Sequence, residues 1–208
     1  MAAPTPSPAL PPPPPTSVHT LSGDVFDAQA GPIGDADVNL WIQQERGGYS
    51  YWWANGPLRS DGTGHFVAPN VPNAETTILA VKDGYVQPCA LSVNLRSDVA
   101  LHVELISKAR FDTTTPGRPL MLPGPEITGT IFETTDAGRQ PLGGADLWVE
   151  NGIEVGLATS RTDPRGAFFL CNLPTDAYLW VTKPGFQEWQ GPIGGSGTGP
   201  VEIELKRQ

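Results

Sequence analysis

The sequence predicts an all-β protein built as two tandem seven-stranded antiparallel β-sandwiches. Three observations carry this expectation. A series of short motifs occurs twice in the same order. Within each copy, apolar and polar residues alternate as they do in half-buried strands. Turn signals such as Gly31-Pro32, Asp61-Gly62, Val71-Pro72-Asn73 and Asp83-Gly84 punctuate the chain at strand-length intervals.

Residues 22–41, SGDVFDAQAGPIGDADVNLW, parallel 128–148, TGTIFETTDAGRQPLGGADLW. Farther along, RSDGTGHF (59–66) parallels RTDPRGAF (161–168), and NVP (70–72) parallels NLP (172–174). ILAVKDGY (78–85) parallels LWVTKPGF (179–186), and ALHVEL (100–105) parallels PVEIEL (200–205). The organisation that follows is a proline-rich tail over 1–18, a first sandwich over 19–106, a linker over 107–125 and a second sandwich over 126–208. The tail, MAAPTPSPALPPPPP and the residues after it, favours extended polyproline II. It lacks the charged start and apolar run of a signal peptide. The linker, SKARFDTTTPGRPLMLPGP over 107–125, has four prolines and no periodicity, so it reads as an extended connector.

In the strands, Val38, Leu40 and Ile42 share one face, and Asn39, Trp41 and Gln43 share the other. Leu147 and Val149 oppose Trp148, and Leu179 and Val181 oppose Tyr178 and Trp180. The core is therefore filled by the aliphatic set, and the tryptophans point away from it. Cys89 and Cys171 fall at non-matching positions of the two copies and have no zinc-ligand spacing. They read as two small buried side chains with no disulfide between them. Formal charge is −9 with no basic stripe, which argues against nucleic acid and anionic membrane surfaces. No apolar run is long enough for a membrane span.

The motif series resembles the carboxypeptidase regulatory-like domain, a prealbumin-like (transthyretin-like) sandwich. The resemblance rests on Gly-x-[VI], Pro-[IL]-Gly-x-Ala, [ST]-Asp-x-x-Gly-x-Phe, the Val-Pro or Leu-Pro turn, the Lys-x-Gly-[YF] segment and a last Val-x-[VI]-x-Leu strand. It covers 21–106 and 126–206, and repeat 1 departs from it with Asp35 where repeat 2 has Gly144. It implies a non-catalytic accessory module of the cell surface or extracellular space, with carbohydrate or a cell-envelope protein as partner and no cofactor. As fold analogy it does not assign a function.

Repeat 1 also resembles the intradiol ring-cleavage dioxygenase core. Trp41, Gly47, Tyr49, Ser50, Leu58, Arg59, Asp61 and Gly64 fall in that family's order. The resemblance implies Tyr49 as the first iron ligand. The second tyrosine's place holds Glu75, and the later His-x-His is His102 with Glu104. The alternative metal set is thus Tyr49, His102 and Glu104, a mixed N/O site. No nucleophile elbow or phosphate loop is present, so catalytic residues are not expected.

Two aromatic surfaces are candidate ligand sites. The first is Trp41, Tyr49, Tyr51, Trp52, Trp53 and Asn55, on a hairpin that repeat 1 lengthens by about seven residues relative to repeat 2. The second is Trp148, Tyr178 and Trp180. Three fates are open to these rings: packing between the repeats, contact with a partner protein or envelope polymer, or stacking on sugars.

Overall fold

The structure, a computed structural model, describes residues 17–46, 49–54, 58–113, 126–151, 156–193 and 200–208, with only the backbone described for 44–46 and 49–54. Most of the predicted tail, the linker from residue 114 onward, and Asn55 lie outside the described residues. The first repeat contains β1 (Val18–Asp27), β2 (Gly31–Pro32), β3 (Asp37–Arg46), β4 (Tyr49–Ala54), β5 (Leu58–Arg59), β6 (His65–Pro72), β7 (Glu75–Val81), β8 (Tyr85–Val86), β9 (Leu91–Asn94) and β10 (Val99–Glu104). Then β11 (Ile106–Ser107) runs into α1 (Lys108–Thr113). The second repeat contains β12 (Glu126–Thr135), β13 (Gly138–Pro141), β14 (Asp146–Glu150), β15 (Gly156–Arg161), β16 (Ala167–Cys171), β17 (Tyr178–Thr182), β18 (Trp189–Pro192) and β19 (Val201–Glu204).

Each repeat is a sandwich of two sheets. In repeat 1, β10-β1-β2, with β6 also on β1, faces β4-β3-β7-β9, with β5 also on β3. In repeat 2 the corresponding sheets are β13-β12-β16, with β19 also on β12, and β15-β14-β17-β18. Without the two-residue ladders β2, β5 and β8, repeat 1 shows seven strands among the described residues; repeat 2 shows eight, the additional one being β13. Most pairings are antiparallel, but the first and last strands of each repeat run parallel, β1 with β10 and β12 with β19. A parallel pair needs a crossover, and the rest of each sandwich supplies it.

The alternation places the core as expected. Val38, Leu40, Ile42, Ile78 and Val103 fill the first sandwich, and Leu147, Val149, Leu179, Val181 and Ile203 fill the second. Burying each such side chain stabilises the fold by roughly 1.5–3 kcal/mol. The Asp-x-x-Gly turns recur with the same bonds. Asp61 Oδ1 accepts from the N–H groups of Thr63 (2.8 Å) and His65 (3.0 Å). Asp163 Oδ1 accepts from those of Arg165 (2.9 Å) and Ala167 (2.8 Å). Gly64 and Gly166 sit at φ 81° and 72°. A Cβ at either would overlap the carbonyl oxygen of Val25 or Ile131. Asp35 and Gly144 are both left-handed, φ 55° and 72°, so the sequence difference between them leaves the turn unchanged.

Two expectations are corrected. Cys89 and Cys171 form a disulfide joining the two repeats. Their non-matching positions follow from the packing, which sets the segment between β8 and β9 of repeat 1 against β15 and β16 of repeat 2. The linker is also not extended throughout. Lys108–Thr113 is a helix whose Phe111 is buried and stacks on Phe169 of repeat 2, ring centroids 6.1 Å apart. Helix α1 is anchored on both sides: Arg110 pairs with Asp27 of repeat 1 (3.5 Å), while Lys108 and Asp112 pair with Asp146 (2.9 Å) and Arg161 (3.1 Å) of repeat 2. Six residues do not hold a helix by propensity alone, and tertiary contacts supply the difference.

Candidate functional site at the seam between the repeats

The segment following β7 builds the seam. Strand β7 is buried on both faces from Thr76 to Ala80. Thr76, Ile78 and Ala80 face the first core, whereas Leu79 meets repeat 2, where a Cβ on Gly156 would come 2.9 Å from its Cδ2. Strand β9 pairs with β7 only as far as Ile78. Beyond it, the Gln87 side chain takes the place of a strand. Its Oε1 accepts from Ala80 N–H (2.8 Å), and its Nε2 donates to the carbonyls of Ile78 (3.0 Å) and Cys89 (3.2 Å). The Gln87 backbone then reaches across. Its N–H donates to Thr159 Oγ1 (2.9 Å), and its carbonyl accepts from Thr159 N–H (2.8 Å). Two further backbone bonds, Ala90 N–H to Cys171 O (3.0 Å) and Cys171 N–H to Pro88 O (3.1 Å), flank the disulfide.

Trp41 packs on the cluster containing Leu157 and Ala90, so this ring of the first predicted surface is an inter-repeat contact. Its Nε1 is buried with no hydrogen-bond partner among the described residues. The lengthened hairpin exists as β3–β4. Its register sets Trp53 opposite Ile42, Trp52 opposite Gln43, Tyr51 opposite Gln44 and Tyr49 opposite Arg46. Ala54 stands opposite Trp41.

The second predicted surface comes together. Trp148 and Trp180 are cross-strand neighbours on the outward face of repeat 2. Trp148 is 38% exposed, and Trp180 is half-buried, with Tyr178 edge-on to it at 6.2 Å. Trp148 and Trp180 line a cavity of about 290 Å³ at the seam, walled on the other side by Ala80–Val86 and by Lys108. Most of its polar groups are already engaged. Trp180 Nε1 donates to Glu150 (2.8 Å), and Ser160 Oγ donates to the Phe169 carbonyl (2.9 Å). Thr159 Oγ1 accepts from Gln87, and Asp146 Oδ1 is held by Lys108 and Arg161, each at 2.9 Å. Burial works against the Arg161 charge, yet its bonds to Asp146 and Asp112 outweigh that and raise its pKa.

Sequence reading passed over a set of residues that the repeat itself displays. Asp37, Arg59 and Lys82 match Asp146, Arg161 and Lys183 in order. Arg59 pairs with Asp37 (3.2 Å) as Arg161 does with Asp146 (2.9 Å). Lys82 and Lys183 donate to turn carbonyls, Asp35 O (3.2 Å) and Gly143 O (2.7 Å). The charged residues thus repeat between the copies as the apolar ones do.

The alternative metal residues are not gathered by the fold. Tyr49 begins β4, at one edge of its sheet, while His102 and Glu104 lie on β10, at an edge of the opposite sheet. Glu104 is buried and His102 exposed. His102 and His65 instead flank Asp24 on neighbouring strands, with Nδ1 atoms 3.7 and 2.9 Å from its carboxylate. Among the described residues no group of three or more His, Cys, Asp or Glu is arranged to hold a metal ion.

The geometry defines a two-repeat β-sandwich module with a joined seam and an aromatic groove beside it. No family model matches the chain, and no curated protein matches it. Among solved structures it is similar to a minor pilin of Streptococcus agalactiae, at 15% identity and TM-score 0.35, covering 91% of this chain and 96% of that one. It is also similar to a streptococcal ancillary pilin, at 13% and 0.34, covering 92% and 62%. A shaft pilin of Lactobacillus rhamnosus GG matches at 10% and 0.34, covering 91% and 96%. At these scores the likeness assigns neither family nor function to this chain.

Proposed function

We propose that the chain is a non-catalytic binding and structural module of the cell surface or extracellular space. In this reading it is a pair of carboxypeptidase regulatory-like sandwiches held as one unit, with the aromatic groove as its binding surface. The observation that carries the reading is the Cys89–Cys171 disulfide set within the hydrogen-bonded seam. Structural disulfides of this kind persist in oxidising compartments and are rare in the cytosol. The groove residues support a binding role without chemistry, since the Ser160 and Thr159 hydroxyls are engaged in holding strands and seam together. Stacking on sugars needs free directional polar groups beside the rings, and in this groove the Trp180 indole and Asp146 are already bonded. The reading therefore favours an uncharged, largely apolar ligand there. Thiol titration of protein isolated from its native cells under non-reducing conditions is expected to find no free thiol, and two per chain after denaturation with reductant. Two thiols titrating before reduction would overturn the extracellular assignment.

A further inference from the structure

We propose that the groove takes the five-proline run Pro11–Pro15 of a second copy of this chain. The proposal rests on the groove being a binding surface and names its occupant.

The groove selects for such a segment by chemistry. Trp148 and Trp180 are cross-strand neighbours that both line the groove, and proline rings stack on aromatic side chains in a preformed polyproline helix with little entropy left to lose. Lys82, Asp83, Lys108 and Asp146 are the charged residues lining the groove; Asp146 pairs with Lys108 and with neighbouring Arg161, and Lys82 donates to the Asp35 carbonyl. An uncharged ligand therefore meets no unpaired charge from Lys108, Arg161 or Asp146. Residues 1–16 carry no charged side chain and eight prolines, five of them consecutive.

Reach decides between the chain's own tail and another's. The carbonyl of Ser17 accepts from Asn73 N–H (2.9 Å), which ties the start of the fold to the turn just before β7. The near wall of the groove begins at Ala80, at the far end of β7. That separation is on the order of 20 Å at ~3.3 Å per residue. Pro15 precedes Ser17 by two residues and Pro11 by six, so the run extends only about 6–19 Å from its tether as a polyproline helix. At that reach the chain's own run would not pass the near wall to Trp148 and Trp180 on the other side. A neighbour's run has no such tether, and a head-to-tail contact of this type does not close on itself.

Sedimentation of the full chain over a concentration series tests this. The average mass is expected to rise with concentration, and a synthetic peptide of residues 4–16 is expected to return it to the monomer while quenching tryptophan fluorescence. Trp180→Ala, and independently Pro12→Ala with Pro14→Ala, should each weaken self-association by about tenfold or more. The proline variant touches no described residue, so its effect does not depend on how the tryptophan variant folds. A chain that stays monomeric at every concentration overturns the proposal. So does association that the peptide does not reverse, or tail docking independent of concentration. Quenching by a neutral polysaccharide but not by the peptide would keep the groove as a binding surface and overturn its occupant.

Discussion

Trp41 and Trp148 lie on the same outward face of corresponding strands, two residues apart in register, since matching Asp37 to Asp146 sets Trp148 level with Asn39 and Trp41 level with Glu150, and their surroundings differ. Trp41 lies against the second repeat, whereas Trp148 is 38% exposed. One strand along, Leu79 is 1% exposed, and its counterpart Trp180 is half-buried beside the groove. Two copies of one unit thus present the same sheet face once covered and once open. Burial follows the unit's place in the chain.

The seam that creates this difference can be broken from strongest link to weakest. Cys89→Ala with Cys171→Ala removes a cross-link spanning 82 residues. Chain entropy puts the loss at about 4.5 kcal/mol, to be read by urea unfolding of the double variant against the oxidised protein. Trp41→Ala should cost about 2–3 kcal/mol and Trp148→Ala less than about 1, because only the covered ring leaves a cavity. Equal costs would mean that the two faces are equally covered in solution. Gln87→Ala leaves Ala80 N–H buried without its acceptor, at a cost of about 1–3 kcal/mol, and amide exchange at Ala80 should rise with it. The smallest effect is acid sensitivity. The Asp61 carboxyl is held below its ordinary value near 3.8 by the Thr63 hydroxyl and then by the Thr63 and His65 amides. Arg207 likewise holds Glu133 below its ordinary value near 4.5, chiefly by hydrogen bonding. Both contributions are complete at neutral pH and are lost as pH falls through the depressed folded-state values. Asp61→Asn and Glu133→Gln should therefore flatten the decline in melting temperature below about pH 4.

Much of this was legible in the sequence. Period-two alternation placed Val38, Leu40 and Ile42 in the core and turned Trp41, Trp148 and Trp180 outward, because the pleat leaves a strand residue only two directions. The all-β architecture followed from the same signal. Alternation carries no information on what meets the outward face. The disulfide was missed for that reason. Cys89 and Cys171 were compared as positions within one repeat, where they do not correspond, but residues that meet across a seam have no need to correspond. Helix α1 was missed because its stability lies in Phe111, Arg110 and Asp112 contacting groups far away in sequence. The Asp–Arg–Lys sets were visible in both copies and went unread because apolar matches guided the comparison.

The position of the disulfide also determines how the module responds to tension. A pull applied at the two ends enters through β1 and leaves through the segment after Cys171, and the cross-link carries the load past everything between the cysteines. The 82-residue span holds α1 and most of the second sandwich. Fully drawn out, that span would add about 280 Å of contour length, at roughly 3.4 Å per residue. While the bond is intact none of this length can be released, so under force an oxidised chain extends only through the residues outside the span, and a reduced one through the span as well.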